Sequence, residues 1–357
     1  MGALTFTGPV DARSELNGLL NLRHNLLSRF VPTTPGNCSG LHFLYLSENK
    51  LQGSFPRELC NLKNLQQLYL TNNQLTGQLP PCLGKLVFLQ ELLLNYNKTS
   101  GGIPESFSNL TALSTLELGY NDLTGSIPWG VGFLIRLEYL SMVYNNLSGQ
   151  IPPFLANCTS LLSLELNVNH LDGPLPIFIA GFPQLYLLNL SVNHLTGRLP
   201  ETLANASAIF TLFMAHNEIT GSIPSVFGKL NNLQRLDLQG NQLHGPIPKE
   251  LGDCDALAEL DLQGNSLHGP LPPQLGKLSF LQYLHLQRNE LQGSLPDSLG
   301  KCRRLEDLDL SQNNFSGPIP LSLFTLPSLQ FSIMLSQNML TGTIPAEVDQ
   351  FITSVLA

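Results

Sequence analysis

Tyrosines that recur at a fixed interval are the residues of this sequence best suited to chemistry, and that chemistry is noncovalent binding. Tyr96, Tyr120 and Tyr144 follow one another at intervals of 24 residues, so a structure with that period places them in one row. A tyrosine ring buries apolar surface while its hydroxyl forms hydrogen bonds, which makes such rows effective contacts for peptides and proteins. Asp237 and Asp261 recur at the same interval and favour a basic group on the bound molecule.

The ligand-binding surface predicted from these residue types combines an aromatic part with an acidic part. For any single tyrosine a structural role is the better interpretation, because tyrosine is a good strand former. For the whole row we favour binding. The predicted ligand-binding residues are Tyr96, Glu117, Tyr120, Tyr139, Tyr144, Phe213, His216, Asp237, Glu259 and Asp261.

Motifs that support catalysis are missing from the sequence. It contains no G-x-S-x-G nucleophile turn, no H-E-x-x-H zinc motif and no G-x-x-x-x-G-K-[S/T] phosphate loop. Asp237 and Asp261 are expected on an open sheet, without the enclosure that sets the pKa values of an acid–base pair apart. We therefore predict no catalytic centre, no cofactor and no metal ion.

The composition is that of a folded chain with many turns and little charge. The 357 residues include 30 glycines and 25 prolines, yet 43% are hydrophobic. The net charge is −8 and no block of basic residues occurs, which argues against a nucleic-acid partner. No apolar run reaches the roughly 18 residues of a membrane span, and we identify no secretion signal at the start of the sequence.

An internal repeat of 24 residues organises nearly the whole chain. Asparagine recurs every 24 residues from Asn25 to Asn313, and one more copy at Asn338 brings the number to 14. Seven positions after each stands a proline, and four positions after each stands a glycine, except that Arg29 replaces the first glycine. The unit reads LxxLxLxxNxLxGxIPxxLxxLxx, which is too regular to arise by chance.

Each part of this unit has a physical role in a stack of repeats. LxxLxL alternates inward and outward like a half-buried strand, and the segment after the proline has 3₁₀ or helical spacing. One repeat cannot bury its leucines alone, so repeats stack and their strands pair in parallel. A buried asparagine in each turn would satisfy backbone groups and form an asparagine ladder. The predicted ladder residues are Asn73, Asn121, Asn145, Asn169, Asn193, Asn217, Asn241, Asn265, Asn289 and Asn313.

The unit resembles the plant-type leucine-rich repeat of receptor-like kinases and receptor-like proteins, over about residues 16–350. The resemblance implies an α/β solenoid, a right-handed superhelix of horseshoe shape. A parallel β-sheet would line its concave face, and 3₁₀ or short helical segments its convex side. We predict a single domain over residues 1–357 with about 14 repeats. We interpret the chain as a fragment without the terminal caps, membrane span and kinase of the family.

The resemblance also implies a function. The chain would be the extracellular recognition module of a plant receptor-like kinase or receptor-like protein in signalling or defence, with a peptide or protein ligand on its concave face. A co-receptor kinase with a short leucine-rich-repeat ectodomain is the second implied partner. The implied localisation of the full-length protein is the extracellular face of the plasma membrane, or secretion.

Two other functions are weighed against this one. Some secreted repeat proteins inhibit pectin-degrading enzymes, but those have two caps and fewer repeats. Other plant repeat proteins bind ice through a flat row of small polar residues. The corresponding row here is interrupted, since Asp172, His244 and His268 stand among its serines and threonines. We therefore rank ice binding last.

The cysteines and the sequons carry two further predictions, and the low charge and the sequons agree with a secreted or luminal surface. Cys38, Cys60 and Cys82 lie in consecutive repeats, and their spacing is compatible with one disulfide among them. Of eight N-x-S/T sequons, three share one position on the outer side of their repeats, and these are the best candidates for glycosylation. The predicted glycosylation sites are Asn109, Asn157 and Asn205.

Overall fold

The computed structural model describes residues 18–31, 40–329 and 332–346, which fall into two compact units. The first unit ends at Asp172 and the second begins at Gly173. In each unit, every repeat contributes one strand to a parallel main sheet, and most repeats add a second short strand and a 3₁₀ helix. The helices of the described residues are all of the 3₁₀ type. The predicted solenoid of leucine-rich repeats with parallel strands is confirmed.

The first unit contains three rows of elements. The strands of its main sheet are Gly18–Asn21, Leu41–Tyr45, Gln67–Tyr69, Glu91–Leu93, Thr115–Glu117, Tyr139–Ser141 and Ser163–Glu165. Its second sheet holds Ser28–Arg29, Lys50–Ser54, Gln74–Gln78, Lys98–Gly101, Asp122–Gly125, Asn146–Gln150 and His170–Asp172. The 3₁₀ helices are Arg57–Asn61, Pro81–Lys85, Glu105–Asn109, Trp129–Phe133 and Pro153–Asn157.

The second unit repeats the same arrangement. Its main sheet is formed by Leu187–Asn189, Thr211–Phe213, Arg235–Asp237, Glu259–Asp261, Tyr283–His285, Asp307–Asp309 and Ser332–Met334. The second sheet holds Thr220–Gly221, Gln242–Gly245, Ser266–Gly269, Glu290–Gly293, Asn314–Gly317 and Met339–Leu340. The 3₁₀ helices are Ile177–Gly181, Glu201–Asn205, Ser225–Lys229, Lys249–Asp253, Pro273–Lys277, Asp297–Lys301 and Leu321–Leu323.

The repeated leucines form the core between the sheets and the 3₁₀ helices. Leu116 is fully buried and pairs in register with Leu92 and Leu140 on the neighbouring strands. Its neighbours Thr115 and Glu117 point the other way, so each strand buries one face and leaves the other open. Removing such a leucine side chain from water contributes about 2 kcal/mol. The burial of every repeat thus depends on the repeats next to it.

A ladder of asparagines joins successive repeats. The side-chain nitrogen of Asn121 donates to the carbonyl oxygen of Leu118, at 3.1 Å, and to that of Leu94 in the preceding repeat, at 3.0 Å. Its side-chain oxygen accepts a hydrogen bond from the backbone N–H of Thr99, at 3.0 Å. The bond to the carbonyl three residues earlier recurs in Asn73, Asn145, Asn169, Asn193, Asn217, Asn241, Asn265, Asn289 and Asn313. All of these are buried except Asn265, which is half-buried.

A disulfide links two consecutive repeats of the first unit. It joins Cys60 and Cys82, which are 22 residues apart, whereas Cys38 lies outside the described residues. Three further cysteines are free and buried: Cys158, Cys254 and Cys302. Burial raises the pKa of Cys158 to about 12, so its thiol stays protonated.

Removing this disulfide is expected to destabilise the first unit by about 3 kcal/mol. The bond closes a loop between residues 22 positions apart, which lowers the conformational entropy of the unfolded chain. The comparison is urea unfolding of the wild type and of Cys60→Ala/Cys82→Ala, each with and without reductant. Reductant should weaken only the wild type, since its remaining described cysteines are already thiols. Equal stability of the two proteins without reductant would contradict the expectation.

Candidate ligand-binding surface

Three stacked tyrosine rings lie just after the ends of three neighbouring strands of the first unit's main sheet. The ring centroids of Tyr96 and Tyr120 are 4.2 Å apart with 10° between the planes, and those of Tyr120 and Tyr144 are 4.5 Å apart with 12°. The exposed fractions of the three residues are 51%, 37% and 47%. Partial burial and the hydrogen bond with Tyr96 raise the pKa of Tyr120, so its hydroxyl stays protonated. The stack therefore offers aromatic surface together with phenol groups to solvent.

The backbone of these tyrosines is left-handed, with φ of 56° at Tyr96, 53° at Tyr120 and 51° at Tyr144. Bulky L-residues adopt this conformation rarely, and it costs on the order of 1 kcal/mol each. The same conformation recurs at this place in other repeats, at a glycine in Gly240 but also at a β-branched residue in Val168. The left-handed backbone is therefore a property of the repeat, and it does not by itself indicate a role for the tyrosine side chains.

Acidic side chains accompany the tyrosines on this face. Glu117 is half-buried, and its carboxylate accepts a 2.6 Å hydrogen bond from the side-chain nitrogen of Asn95. Burial raises the pKa of Glu117, the Asn95 bond opposes the rise, and Glu165 and Glu91 add to it. Tyr139, which is 36% exposed, stands on the strand between Glu117 and Glu165. An aromatic and anionic face of this kind suits a ligand with basic and apolar groups.

A second aromatic stack in the first unit was not assigned to the site by the sequence pattern. The rings of Tyr45 and Tyr69 are 4.5 Å apart, and the guanidinium carbon of Arg23 lies 4.3 Å and 4.5 Å from their centroids. The carboxylate of Glu91 accepts hydrogen bonds from the side-chain nitrogen of Gln67, at 2.9 Å, and from the hydroxyl of Tyr69. A cation over two rings fixes their positions. The available signal was the 24-residue spacing of Tyr45 and Tyr69, with Arg23 at an outward position.

The predicted ligand-binding residues of the second unit differ in their exposure to solvent. His216 is exposed, whereas Phe213 is half-buried with the guanidinium carbon of Arg235 at 5.4 Å from its ring centroid. Arg235 also donates to the hydroxyl of Thr211, at 3.1 Å. Glu259 is half-buried and pairs in register with Arg235 on the next strand. Arg235 nevertheless turns toward the preceding repeat.

Asp237 and Asp261 are held by internal partners. Each accepts a 3.1 Å hydrogen bond from the backbone N–H two residues later, at Gln239 and Gln263. Burial raises the pKa of Asp237, although the bonds from Gln239 oppose the rise. Asp261 is only 6% exposed. The sequence placed both carboxylates on an open surface, because it does not show that a short acidic side chain folds back on its own turn.

His285 lies between two acidic residues, Asp261 and Asp307. Its ring nitrogens lie 3.4 Å from a carboxylate oxygen of Asp261 and 3.4 Å from one of Asp307. The hydrogen bond to Asp261 is the main reason why the pKa of His285 rises from 6.5 to about 9, and burial opposes the rise. The histidine is therefore charged at neutral pH and neutralises part of the acidic surface.

Replacing His285 with glutamine is expected to remove a pH-dependent part of the second unit's stability. Because its folded pKa is raised, the contribution is complete below pH 6.5 and disappears as the pH rises through about 9. With 25% of the side chain exposed, screening limits the effect to about 1 kcal/mol. Urea unfolding across this pH range measures it, with the exposed His268→Gln as control. An unchanged pH dependence in His285→Gln would show that the pair contributes nothing.

A shallow groove of about 480 Å³ lies at the edge of the second unit's main sheet. Tyr186 and Phe210 line it together with Thr211 and Arg235. Small side chains at Ala208 and Ala256 leave the space open. The groove was not predicted from the sequence, because several of its lining residues, such as Ala208 and Ala256, lie outside the outward positions of the strands.

The predicted glycosylation sites all lie on the helical side of their repeats. Asn109, Asn157 and Asn205 are each the last residue of a 3₁₀ helix, and each is exposed. Their exposure meets the steric requirement for a glycan, and their modification stays a prediction. In contrast, Asn97 carries a sequon but is buried in the ladder.

Comparisons with known proteins identify the repeats. A family profile described as "Leucine rich repeat" matches residues 19–75, 183–243, 211–267 and 255–315. A second profile, "Leucine Rich Repeat", matches residues 88–110 and 136–158. The chain belongs to the leucine-rich repeat family. A search among curated proteins gives no significant match.

Solved structures of plant receptors are similar to this leucine-rich repeat protein. One is "Plant peptide hormone receptor RGFR1 in complex with RGF2", at 37% identity and TM-score 0.86, covering 94% of this chain and 57% of that one. Another is the Arabidopsis receptor kinase HAESA in complex with the peptide hormone IDA and the co-receptor SERK1. Its identity is 33%, its TM-score 0.83, and the coverage is 95% of this chain and 60% of that one. The chain thus spans less than two thirds of either receptor chain.

A third similar structure is a plant ice-binding protein, at 30% identity and TM-score 0.58, covering 77% of this chain and 81% of that one. Leucine-rich repeats therefore serve more than one kind of binding among the similar structures. Within the described residues, no helix has the length and hydrophobicity needed to cross a membrane.

Proposed function

We propose that this leucine-rich repeat protein is a recognition module that binds an extended peptide on the open face of the first unit's main sheet. The observation that carries the proposal is the exposed stack of Tyr96, Tyr120 and Tyr144, whose neighbouring rings lie 4.2 Å and 4.5 Å apart. Similarity to the peptide hormone receptor RGFR1, in complex with RGF2, and to HAESA, in complex with the peptide hormone IDA, supports a peptide as the ligand class.

The charge of this face specifies the ligand further. Glu91, Glu117 and Glu165 stand on the strands beside the tyrosine stack, and Glu117 interacts electrostatically with the other two. A peptide with lysine or arginine next to an apolar side chain would neutralise these carboxylates while its apolar part covers the rings. Charge complementarity of this kind contributes mainly to specificity and to the rate of association.

By the same similarity, we propose that the full-length protein acts at the cell exterior as part of a plant receptor-like kinase or receptor-like protein. A bound peptide would present a composite surface to a co-receptor, as the HAESA structure with IDA and SERK1 contains both partners. Catalysis has no part in this proposal, and signalling would follow from binding alone.

A displayed library of random peptides tests the proposal directly. The full chain, secreted from plant cells behind a cleavable leader, is used to select peptides. Each round is counter-selected against Tyr120→Asn/Tyr144→Asn, because asparagine tolerates the left-handed backbone. We expect enrichment of peptides that combine basic and apolar residues and that bind only the wild type. Enriched peptides that bind both proteins equally would place recognition elsewhere, and a library without enrichment would argue against peptide binding.

Ice binding is the weaker alternative. It rests on the similarity to a plant ice-binding protein. A flat row of small polar residues would be needed, and the exposed Asp172, His244 and His268 interrupt it. Thermal hysteresis of the secreted chain would decide this directly.

A further inference from the structure

An exposed aromatic cluster lies on the helical side of the first unit, away from the proposed ligand face. The ring of Trp129 is 5.3 Å from that of Phe133 and 6.2 Å from that of Phe154, with edge-to-face geometry in both pairs. Exposed fractions are 53% for Trp129, 50% for Phe133 and 56% for Phe154. Three large, half-exposed aromatic side chains, of which Trp129 contacts the other two, form a surface that water solvates poorly.

Two sequons flank this aromatic cluster in the stack. The helix Trp129–Phe133 packs between Glu105–Asn109 on one side and Pro153–Asn157 on the other. Each of the three helices ends at the same position of its repeat, which is Asn109 in the first, Phe133 in the second and Asn157 in the third. Phe133 therefore stands between the two asparagines in one row across the helices.

The packing of these helices is close. A side chain at Gly132 would come within 2.3 Å of the backbone oxygen of Phe154, and one at Gly130 within 2.7 Å of the Ser108 side chain. Glycine at both positions lets the middle helix approach both neighbours. A sugar attached to Asn109 or Asn157 would consequently start one repeat away from the Phe133 ring, which is roughly 5 Å if the helices follow the strand spacing.

We propose that N-linked glycans on Asn109 and Asn157 fold back over Trp129, Phe133 and Phe154 and cover this surface. In the modification, the side-chain amide nitrogen bonds to C1 of N-acetylglucosamine and releases one proton. The bond between C1 and the pyrophosphate of a lipid-linked oligosaccharide donor breaks, and the lipid pyrophosphate is the leaving group. The C–H face of the pyranose ring stacks on an aromatic ring, while its hydroxyl groups stay in water. The inference is independent of the proposed peptide ligand, but it rests on the proposed location at the cell exterior, because N-linked glycans are added in the secretory pathway.

The chain supplies its own reporter and control. Trp129 is the only tryptophan, so fluorescence excited at wavelengths that the eight tyrosines do not absorb reports on this cluster alone. The third predicted site, Asn205, also ends a 3₁₀ helix, but the residues at the same position one repeat before and after it are Gly181 and Lys229. A glycan on Asn205 has a comparable mass but no aromatic residue at the equivalent position of either neighbouring repeat. Its loss therefore serves as the control.

The experiment compares acrylamide quenching and emission of Trp129 in the secreted full chain and in Asn109→Gln, Asn157→Gln, their double variant and Asn205→Gln. Glycopeptide mass spectrometry first establishes occupancy at each sequon. We expect both sites to be occupied, and we expect a red-shifted emission and a larger quenching constant in the double variant. Asn205→Gln should match the wild type.

Several results would overturn the proposal. These are unoccupied sequons at Asn109 and Asn157, unchanged quenching in the double variant, or an equal change in Asn205→Gln. Light scattering measures the oligomeric state of all samples. It tests the alternative that a second copy of this chain, and not a glycan, covers the aromatic cluster. A wild type that is already dimeric and loses its Trp129 protection on dilution would assign the cluster to self-association instead. A double-mutant cycle measured by thermal unfolding combines Trp129→Ser with the loss of both glycans. It separates the energy of stacking from a general effect of glycans on stability.

Discussion

Replacing Asn121 with alanine is expected to lower the free energy of unfolding of the first unit by about 4 kcal/mol. The residue is 7% exposed, and its side chain bridges two repeats. Its loss leaves the backbone N–H of Thr99 without its acceptor and removes a 2.6 Å hydrogen bond from the Thr99 hydroxyl. Each buried polar group left without a partner costs about 1 to 3 kcal/mol, which is why a single ladder position has so large an effect.

Urea unfolding measures this loss, and hydrogen exchange at the Thr99 amide locates it. The matched control is Asn146→Ala, which truncates an exposed asparagine in the same unit, on the strand Asn146–Gln150. Its effect should stay within about 0.5 kcal/mol, as is usual for surface substitutions. Equal stability of Asn121→Ala and Asn146→Ala would mean that the ladder does not hold the repeats together.

The second large effect is expected in ligand binding. Tyr120→Asn/Tyr144→Asn should weaken the affinity for a selected peptide by roughly 100-fold to 1,000-fold, the range of two aromatic hot spots. Stability should change little, because two effects oppose each other. Asparagine relieves the left-handed backbone at both positions. Lost stacking removes about 0.5 to 1.5 kcal/mol per ring pair.

Isothermal titration of both proteins with the same peptide measures the affinity, and thermal unfolding monitors the fold. Phe88→Asn serves as control, since it removes an exposed aromatic residue that does not belong to the tyrosine stack. If the double variant binds as tightly as the wild type, the tyrosines have a structural role. If Phe88→Asn weakens binding equally, the loss is unspecific.

The fold was predictable because, in a strict 24-residue repeat, each position of the unit has the same structural environment in every copy. Leucine spacing fixed which side chains are buried, and the position of Asn121 in its turn predicted the bonds that it makes. The stacked rings of Tyr96, Tyr120 and Tyr144 followed from equal positions in consecutive repeats, since parallel strands bring such residues together.

Side-chain conformations at the site were not predictable in the same way. Arg235 has an acidic neighbour in register, Glu259, but turns toward Thr211 and Phe213. Asp261 occupies an outward position and is nevertheless buried. Such outcomes depend on small energy differences between competing polar partners, which a repeat pattern does not contain.

Residues that depart from the 24-residue period were the second reason why some features could not be predicted from the sequence. Three cysteines in consecutive repeats left the disulfide undecided, and only the structure pairs Cys60 with Cys82. The cluster around Trp129 is likewise a feature of individual repeats, because most other repeats carry polar or small residues at those positions.

Site-specific photo-crosslinking tests the central claim most directly. A photoreactive phenylalanine replaces Tyr120 in one protein and Phe88 in another, and each is irradiated with a selected peptide. The account predicts a crosslink from position 120 to the peptide, located next to a basic residue, and no crosslink from position 88. Crosslinking from position 88 with none from position 120 would contradict it and would place the ligand away from the tyrosine stack.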